Sequence, residues 1–308
     1  MSEADLILFL EASVRLGVPL ALAAMGEAIT ERSGVINIGL EGSLIAGALG
    51  GALAALALGS GEAGVLGGAA AGGLAALVFA AFAVGLGTDQ IITGTAITLG
   101  GLGFTGAVYQ ARFGATGTAL TLPTLAPLPI PGLADIPWLG SALFAQAPTA
   151  YLAYLLAPAL WYFLFRTEWG LELRAVGESP DAAQAAGVRV RRVRVLATLF
   201  GGVLAGIAGA HLALAHAGTF AENMSAGRGF IAIAVVALGR WNPPIVLLAA
   251  LLFGAASALQ FLLQAVGIDL PYQLFLAFPY LLTLAALAGW LGRTRAPAAL
   301  GGVWPKNR

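Results

Sequence analysis

The segment 27–42, which reads EAITERSGVINIGLEG, concentrates charged side chains between two uncharged apolar stretches. Four charges fall within fifteen positions: Glu27, Glu31, Arg32 and Glu41. Side chains of this kind can pair with one another, contact another subunit, or hold a polar solute. A charged group at the centre of a bilayer costs roughly 2.5–3.5 kcal/mol. If the apolar flanks cross a membrane, the segment must therefore lie at its surface or be buried against protein. Its glycines predict a break in the helix, at Ser33-Gly34 and Gly39, because glycine lowers helix stability by about 1 kcal/mol relative to alanine.

Other groups that could do chemistry are scarce in this chain. Cysteine is absent, which excludes thiol nucleophiles and disulfides, and the only histidines are His211 and His216. The sequence contains no HExxH or GxSxG motif and no phosphate-binding GxxxxGK loop, since its only lysine is Lys306. We predict no catalytic site, no metal and no cofactor in this chain. An ion-coupled transporter stays an alternative, with Asp89 as its closest candidate carboxylate.

The composition is that of a membrane protein. Hydrophobic residues make up 59% of the 308 residues and charged residues only 10%, whereas soluble domains are about one quarter charged. The mean hydropathy is +0.90. A net charge of zero gives no basic surface for nucleic acid. We therefore predict an all-α, polytopic membrane helical bundle that forms a single domain, residues 1–308.

Apolar runs suited to membrane spans recur along the chain. The first, 6–25, contains Pro19 and is either one span or an interfacial helix followed by a half-helix. Eight more follow at 43–58, 64–86, 91–110, 149–165, 195–217, 230–238, 243–266 and 272–291. The run 230–238 is short enough to be part of a broken or re-entrant helix. We expect nine crossings, or eight or ten if a doubtful segment is split.

The distribution of arginine predicts the orientation, because short cytoplasmic loops are enriched in basic residues. Residues 166–194 carry six arginines. The C-terminal tail carries four basic residues: Arg293, Arg295, Lys306 and Arg308. We therefore expect both segments in the cytoplasm. The proline-rich loop 111–148, with Arg112 as its one basic residue, is expected on the outer side.

A short helix is predicted inside the cytoplasmic loop 166–194. Ser179 can cap it, Pro180 suits the first helical position, and Asp181 favours the positive end of the helix dipole. Gly187 suits a left-handed stop about two turns later. Helices this short are marginal in water. This helix must therefore pack on its own bundle or dock in a groove of a soluble partner.

Three segments together resemble one family of transport proteins. DAAQAAG (181–187) resembles the Glu-Ala-Ala-xxx-Gly coupling loop of bacterial ABC-transporter permeases, with Asp in place of Glu. ERSGVINIGLEG (31–42) and NMSAGRGFIAIAVVALGRWNP (223–243) resemble two signatures of the permease branch that serves ribose-type sugars, nucleosides and branched-chain amino acids. The motifs occur in the family's order, and the nucleoside (simple sugar) permeases are the most similar.

This resemblance implies an inner-membrane permease subunit of an ATP-driven importer for a nucleoside or simple sugar, or alternatively for a branched-chain amino acid. It also implies the partners: an ABC ATPase subunit carrying ATP and Mg, a second and paralogous permease subunit, an extracytoplasmic substrate-binding lipoprotein, and the lipid bilayer. The chain itself would then be no enzyme. The residues implied to couple to the ATPase are Ser179, Pro180, Asp181, Ala182, Ala183 and Gly187.

Two further sets of residues are candidates. The signature residues, which we expect to serve folding and subunit contact before substrate binding, are Glu31, Arg32, Gly34, Asn37, Glu41, Gly42, Arg228 and Gly229. Polar residues that could line a substrate path are Thr93, Thr95, Thr98, His211, His216 and Asn223. Each has a structural alternative, because helical threonine bonds its own helix and a buried neutral histidine pairs with a neighbour.

Overall fold

The computed structural model describes residues 3–114, 120–265 and 295–304, with four isolated helical positions between the last two ranges: Gln273, Ala277, Phe278 and Leu281. Almost all of the predicted span 272–291 lies outside the described residues. The tail residues Arg293, Lys306 and Arg308 lie outside them as well.

The described ranges are mainly helical. In chain order the helices are α1 Glu3–Arg32, α2 Leu40–Leu58, α3 Gly61–Ala80, α4 Gln90–Phe113, α5 Leu139–Phe144, α6 Pro148–Arg166, α7 Glu168–Glu178, α8 Pro180–Ala185, α9 Val190–His211, α10 Arg228–Leu238 and α11 Pro243–Ala265. Helices α3 and α9 continue as π-helical turns at Ala81–Leu86 and Leu212–Ala217. Two short strands, β1 Leu128–Pro129 and β2 Ala145–Gln146, pair antiparallel.

Seven helices of the described ranges are long and apolar enough to cross a bilayer: α1, α2, α3, α4, α6, α9 and α11. They coincide with seven of the predicted spans, which confirms the all-α polytopic bundle. Helix α1 is continuous through Pro19 over 30 residues, so the first apolar run is one span. At 1.5 Å per residue it is about 45 Å long, which exceeds the roughly 30 Å hydrocarbon core.

Helix α10 covers the short apolar run 230–238. Its 11 residues give a length of about 16 Å, roughly half of the hydrocarbon core. Non-helical residues 218–227 precede it, and Gly227 at its N-cap adopts a φ of +80°, which glycine tolerates without strain. The run is therefore the helical half of a broken segment.

Glycines let α2, α3 and α9 approach until their backbones touch. A Cβ at Gly206 would collide with the Gly68 carbonyl oxygen, and one at Gly209 with the carbonyl oxygen of Leu44. The glycines of α3 and α9 recur at every fourth position: Gly64, Gly68 and Gly72, and Gly202 and Gly206. This spacing of small residues permits close helix packing in lipid. The small residues of the sequence therefore build the tightest part of the bundle.

Helix α9 defines two opposite ends of the bundle. Its first residue follows α8, whereas at its far end Leu214 and Gly218 accept hydrogen bonds from Leu125 (3.0 Å) and Leu122 (3.1 Å) of the loop. The 28 residues of Val190–Ala217 separate these two points by about 42 Å. We call them the α8 end and the loop end. The predicted loops 166–194 and 111–148 thus lie at different ends.

Candidate functional site

The predicted break in segment 27–42 lies between α1 and α2. Helix α1 ends at Arg32, and Gly34 adopts a φ of +88°, which is strained for residues that have a Cβ. Residues 33–39, which we call the break, then run without helix to α2. Gly42 in the first turn of α2 lies against α4, because a Cβ there would come within 2.6 Å of the Ile97 carbonyl oxygen.

Glu41 joins this region to the start of α10. Its carboxylate is buried and accepts the backbone N–H groups of Gly227 at 2.8 Å and Gly229 at 2.6 Å. The first N–H groups of a helix lack intrahelical partners and carry partial positive charge, so a carboxylate is a favourable cap. A Cβ at Gly229 would crowd the Glu41 backbone. The two signature segments, 186 residues apart in sequence, therefore meet at one carboxylate.

Glu27 and Glu31 are buried one turn apart near the end of α1. Glu27 accepts the backbone N–H of Asn37 at 2.8 Å, and Glu31 accepts the indole N–H of Trp241. Arg32 donates through Nε to the Trp241 carbonyl oxygen at 3.2 Å. These bonds run to the break and to the turn after α10, so they tie separate segments together instead of pairing the charges with one another.

Buried polar atoms beside the break have no hydrogen-bond partner among the described residues. They are Glu27 Oε2, Glu31 Oε1, both side-chain amide atoms of Asn37, and the hydroxyl oxygens of Ser43 and Ser225. An unsatisfied buried polar group costs about 1–3 kcal/mol. The bundle interior therefore offers donors and acceptors here that the fold does not use itself.

The three candidate threonines of α4 differ in what they bond. Thr93 donates to the Asp89 carbonyl oxygen at 2.7 Å and Thr95 to the Ile91 carbonyl oxygen at 2.8 Å, each within its own helix. Thr98 is buried and donates to the carbonyl oxygen of Ile38 at 3.2 Å. Only Thr98 of this set is therefore brought to the break.

The candidates on α9 and beyond it are dispersed. His211 is buried and its Nδ1 lies 2.6 Å from the Thr149 hydroxyl, which joins α9 to α6. His216 and Asn223 are exposed toward the loop end. Arg228 donates to carbonyl oxygens of its own turn, including that of Met224 at 3.1 Å. The structure does not gather the predicted path residues into one cluster.

Helix α8 presents one face to the bundle and one to the outside. Ala183 is 4% exposed and packs with Val176 and Val190, whereas Asp181 and Ala182 are exposed. Gly187 has a φ of +91°, which confirms the left-handed stop. The expected side-chain cap is wrong, because the Ser179 hydroxyl makes no capping bond. The backbone carbonyl oxygen of Ser179 accepts the first bond of α8, from the Ala183 N–H at 3.0 Å.

Two side chains of other helices, which the sequence did not single out, form hydrogen bonds with the break. Gln90 Oε1 accepts the Ile36 backbone N–H at 2.8 Å, and Arg194 Nε donates to the Ser33 carbonyl oxygen at 3.2 Å. Arg194 appeared only as one of the arginines that set the orientation. Asp89, the carboxylate of the ion-coupled alternative, is exposed and caps α4 through the N–H groups of Ile91 and Ile92.

Residues 9–287 match the family described as the permease component of the branched-chain amino acid transport system. The chain belongs to this permease family. The match covers most of α1, the other six span-length helices, the break and the α8 segment. The predicted identity as an ABC-transporter permease subunit is thereby confirmed.

Several relatives are similar over nearly the whole chain. The guanosine ABC transporter permease protein NupQ of Bacillus subtilis is 37% identical and covers 98% of both chains. A putative glucose ABC transporter permease of Haloferax volcanii is 37% identical over 93% of this chain and 92% of its own. The nucleoside ABC transporter permease NupC of Lactococcus lactis is 34% identical over 94% of each chain. No solved structure gave a significant match.

Proposed function

We propose that this chain forms part of the translocation path of an ATP-driven nucleoside importer. The observation that carries the proposal is its similarity, at 34–37% identity over at least 94% of the chain, to permeases named for guanosine and for nucleosides. The unused donors and acceptors of Asn37 beside the break suit a solute with ribose hydroxyls and base amide groups.

A simple sugar is the second candidate solute. The Haloferax relative, named for glucose, is as similar as the guanosine permease. Ribose-bearing and free sugars share vicinal hydroxyl groups, so the same acceptors serve both. A branched-chain amino acid, which the family description names, would place an ammonium and a carboxylate in the path.

The α8 end is the proposed site of ATPase contact. This end combines the exposed face of α8 with the arginine-rich segment 166–194. The arginines favour the cytoplasmic side of the inner membrane for this end. A substrate-binding lipoprotein delivers solute at the loop end, and the ATPase, which carries ATP and Mg, moves α8. ATP shifts the permease between inward and outward states only by its differential affinity for them.

A second permease subunit completes the proposed complex. Lactococcus lactis contains a nucleoside permease named NupB besides NupC, and 89 residues of this chain are 37% identical to it. Two different nucleoside permeases in one organism support the proposal of a heterodimer. The ATP-hydrolysing site then lies outside this chain.

Reconstitution tests the proposal. The chain, the second permease, the ATPase and the binding protein are placed in proteoliposomes, and ATP hydrolysis is measured with guanosine, ribose, glucose or leucine. We expect stimulation by nucleosides, and none when the permease is assayed alone. Stimulation by leucine only would overturn the solute class. A complex that responds to no solute and imports nothing would overturn the transport function.

Gly187→Pro is the matching variant for the ATPase contact. Proline fixes φ near about −65°, whereas Gly187 has a φ of +91°, so the end of α8 must rearrange and uptake should be lost. Gly59→Pro is the control, because Gly59 is also a left-handed stop, with φ +65°, but ends α2. It should keep ATPase binding. Equal uptake losses with equal ATPase binding would contradict the role of α8.

A further inference from the structure

The last described segment, 295–304, lies against the α8 end although it belongs to none of the described helices. We call it the strap. Ala299 donates its backbone N–H to the Gly177 carbonyl oxygen at 2.9 Å, and Gly301 donates to that of Gly34 at 3.2 Å. The strap therefore spans from the end of α7 to the turn at which the break begins.

The strap contacts α8 through Trp304. The indole N–H of Trp304 donates to the Asp181 carboxylate at 2.8 Å. The Trp304 ring also packs against the apolar cluster beneath α8, which includes Ala183 and Val190. Any displacement of α8 must carry Trp304 with it or break a charge-assisted hydrogen bond.

The strap is also linked to the break, through Gly302. The Gly302 carbonyl oxygen accepts hydrogen bonds from Gln90 Nε2 at 3.3 Å and Arg194 Nη1 at 3.1 Å. These are the same two side chains that bond residues 33 and 36 of the break. The side chains of Gln90 and Arg194 therefore each bond both the strap and the break.

The strap also lies close to Gly34. A Cβ on Gly34 would lie 2.9 Å from Arg194 Nη2 and 3.2 Å from the Ala299 carbonyl oxygen. The positive φ of Gly34 already disfavours other residues. Packing against the strap adds a second, independent constraint at the same position.

We propose that the strap is a positioning element that transmits movement of α8 to the break, and that Trp304 is its attachment to α8. The inference rests on the proposed function, in which an ATPase moves α8. Hydrogen bonds join Asp181 to Trp304, and the Gly302 carbonyl oxygen two residues earlier to the side chains that bond Ser33 and Ile36. The break in turn is bonded to Glu27. Contiguous bonded networks of this kind carry energetic coupling between separate sites.

The test measures solute imported per ATP hydrolysed in proteoliposomes, with each value normalised to inserted permease and bound ATPase. Trp304→Phe keeps an aromatic side chain and removes the indole N–H donor. A lost hydrogen bond of about 1 kcal/mol corresponds to roughly fivefold, so we expect this ratio to fall about fivefold while ATPase binding and basal hydrolysis persist. Tyr162→Phe, which removes an exposed hydroxyl on α6 outside the proposed ATPase contact, is the control and should leave the ratio unchanged.

A second pair of variants changes the acceptor instead of the donor. This pair tests the role of the strap even if Trp304→Phe does not insert into the membrane. Asp181→Asn retains a carbonyl oxygen for Trp304 and should keep the ratio within about twofold, whereas Asp181→Ala should lower it about fivefold. Equal ratios in the Asp181→Asn and Asp181→Ala variants would refute the proposed role of the strap. An unchanged ratio in Trp304→Phe would refute it as well. If the unmodified complex shows no ATP-dependent uptake, the proposed function itself fails.

The absence of cysteine permits a rescue experiment. Asp181→Cys combined with Trp304→Cys replaces the hydrogen bond by two thiols that a short bifunctional reagent can bridge. The transport-to-ATP ratio should fall in the untreated double variant and recover after bridging. A ratio that stays low after complete bridging contradicts the proposal, because the mechanical connection has then been restored without effect.

Discussion

Replacing Glu41 by glutamine should weaken the junction between the two signature segments. The buried carboxylate accepts two backbone N–H groups, from Gly227 and Gly229, and glutamine offers one carbonyl oxygen in its place. One N–H therefore loses its acceptor and faces an amide NH₂ group. A hydrogen bond to a charged group contributes about 1.5–3 kcal/mol, and the lost charge at the α10 N-terminus about 1 kcal/mol. The expected cost is about 2.5–4 kcal/mol.

Thermal unfolding of the purified protein in detergent, followed by tryptophan fluorescence, measures this cost. One kcal/mol corresponds to about 2–4 °C in domains of 150–250 residues, so the unfolding midpoint should fall by roughly 5–16 °C. Glu62→Gln is the matched control. Glu62 also lies in the first turn of a helix but is exposed and accepts a hydrogen bond from the Ser60 hydroxyl, so its replacement should leave the midpoint unchanged. Equal midpoints for both variants would refute the assigned role of Glu41.

Three further outcomes are expected. Gly209→Ala forces a methyl group into the α2 backbone, which costs about 1–3 kcal/mol and should lower the unfolding midpoint, whereas Gly100→Ala meets no atom within 4 Å and should not. Ala183→Asp buries a carboxylate beneath α8 and should abolish uptake by the reconstituted complex while membrane fractionation still shows insertion. Thr149→Val leaves the buried His211 Nδ1 without the partner it has at 2.6 Å, and a loss of about 1–3 kcal/mol should appear as a lower midpoint; an unchanged midpoint would contradict that pairing.

Local features of the site were predictable wherever one residue type is sufficient to determine the backbone conformation. Gly34 and Gly187 both adopt the positive φ expected of glycine after a helix. The broken character of 230–238 followed from its length alone, because a run this short cannot cross the hydrocarbon core as helix. The break after Arg32 followed from the glycines that come next.

The partners of the buried charges were not predictable. Glu31 bonds the indole of Trp241, 210 residues away, and Glu41 bonds two backbone N–H groups that any residue except proline could supply. Gln90 had no distinguishing pattern, although its side chain holds Ile36. The predicted hydroxyl cap of Ser179 was wrong: the residue lies at the N-cap of α8, but its hydroxyl makes no capping bond.

The sequence by itself determined the membrane class, seven of the span positions, the family and the segments in which the helices stop. These properties depend on local hydropathy, on length and on glycine, so neighbouring residues are sufficient to specify them. Only the tertiary structure decided that the two signature segments meet at Glu41 and that the strap lies between α8 and Gly34. Most of these contacts have a backbone group on at least one side and join residues far apart in sequence. The residue type does not predict them, because every backbone carries the same donors and acceptors.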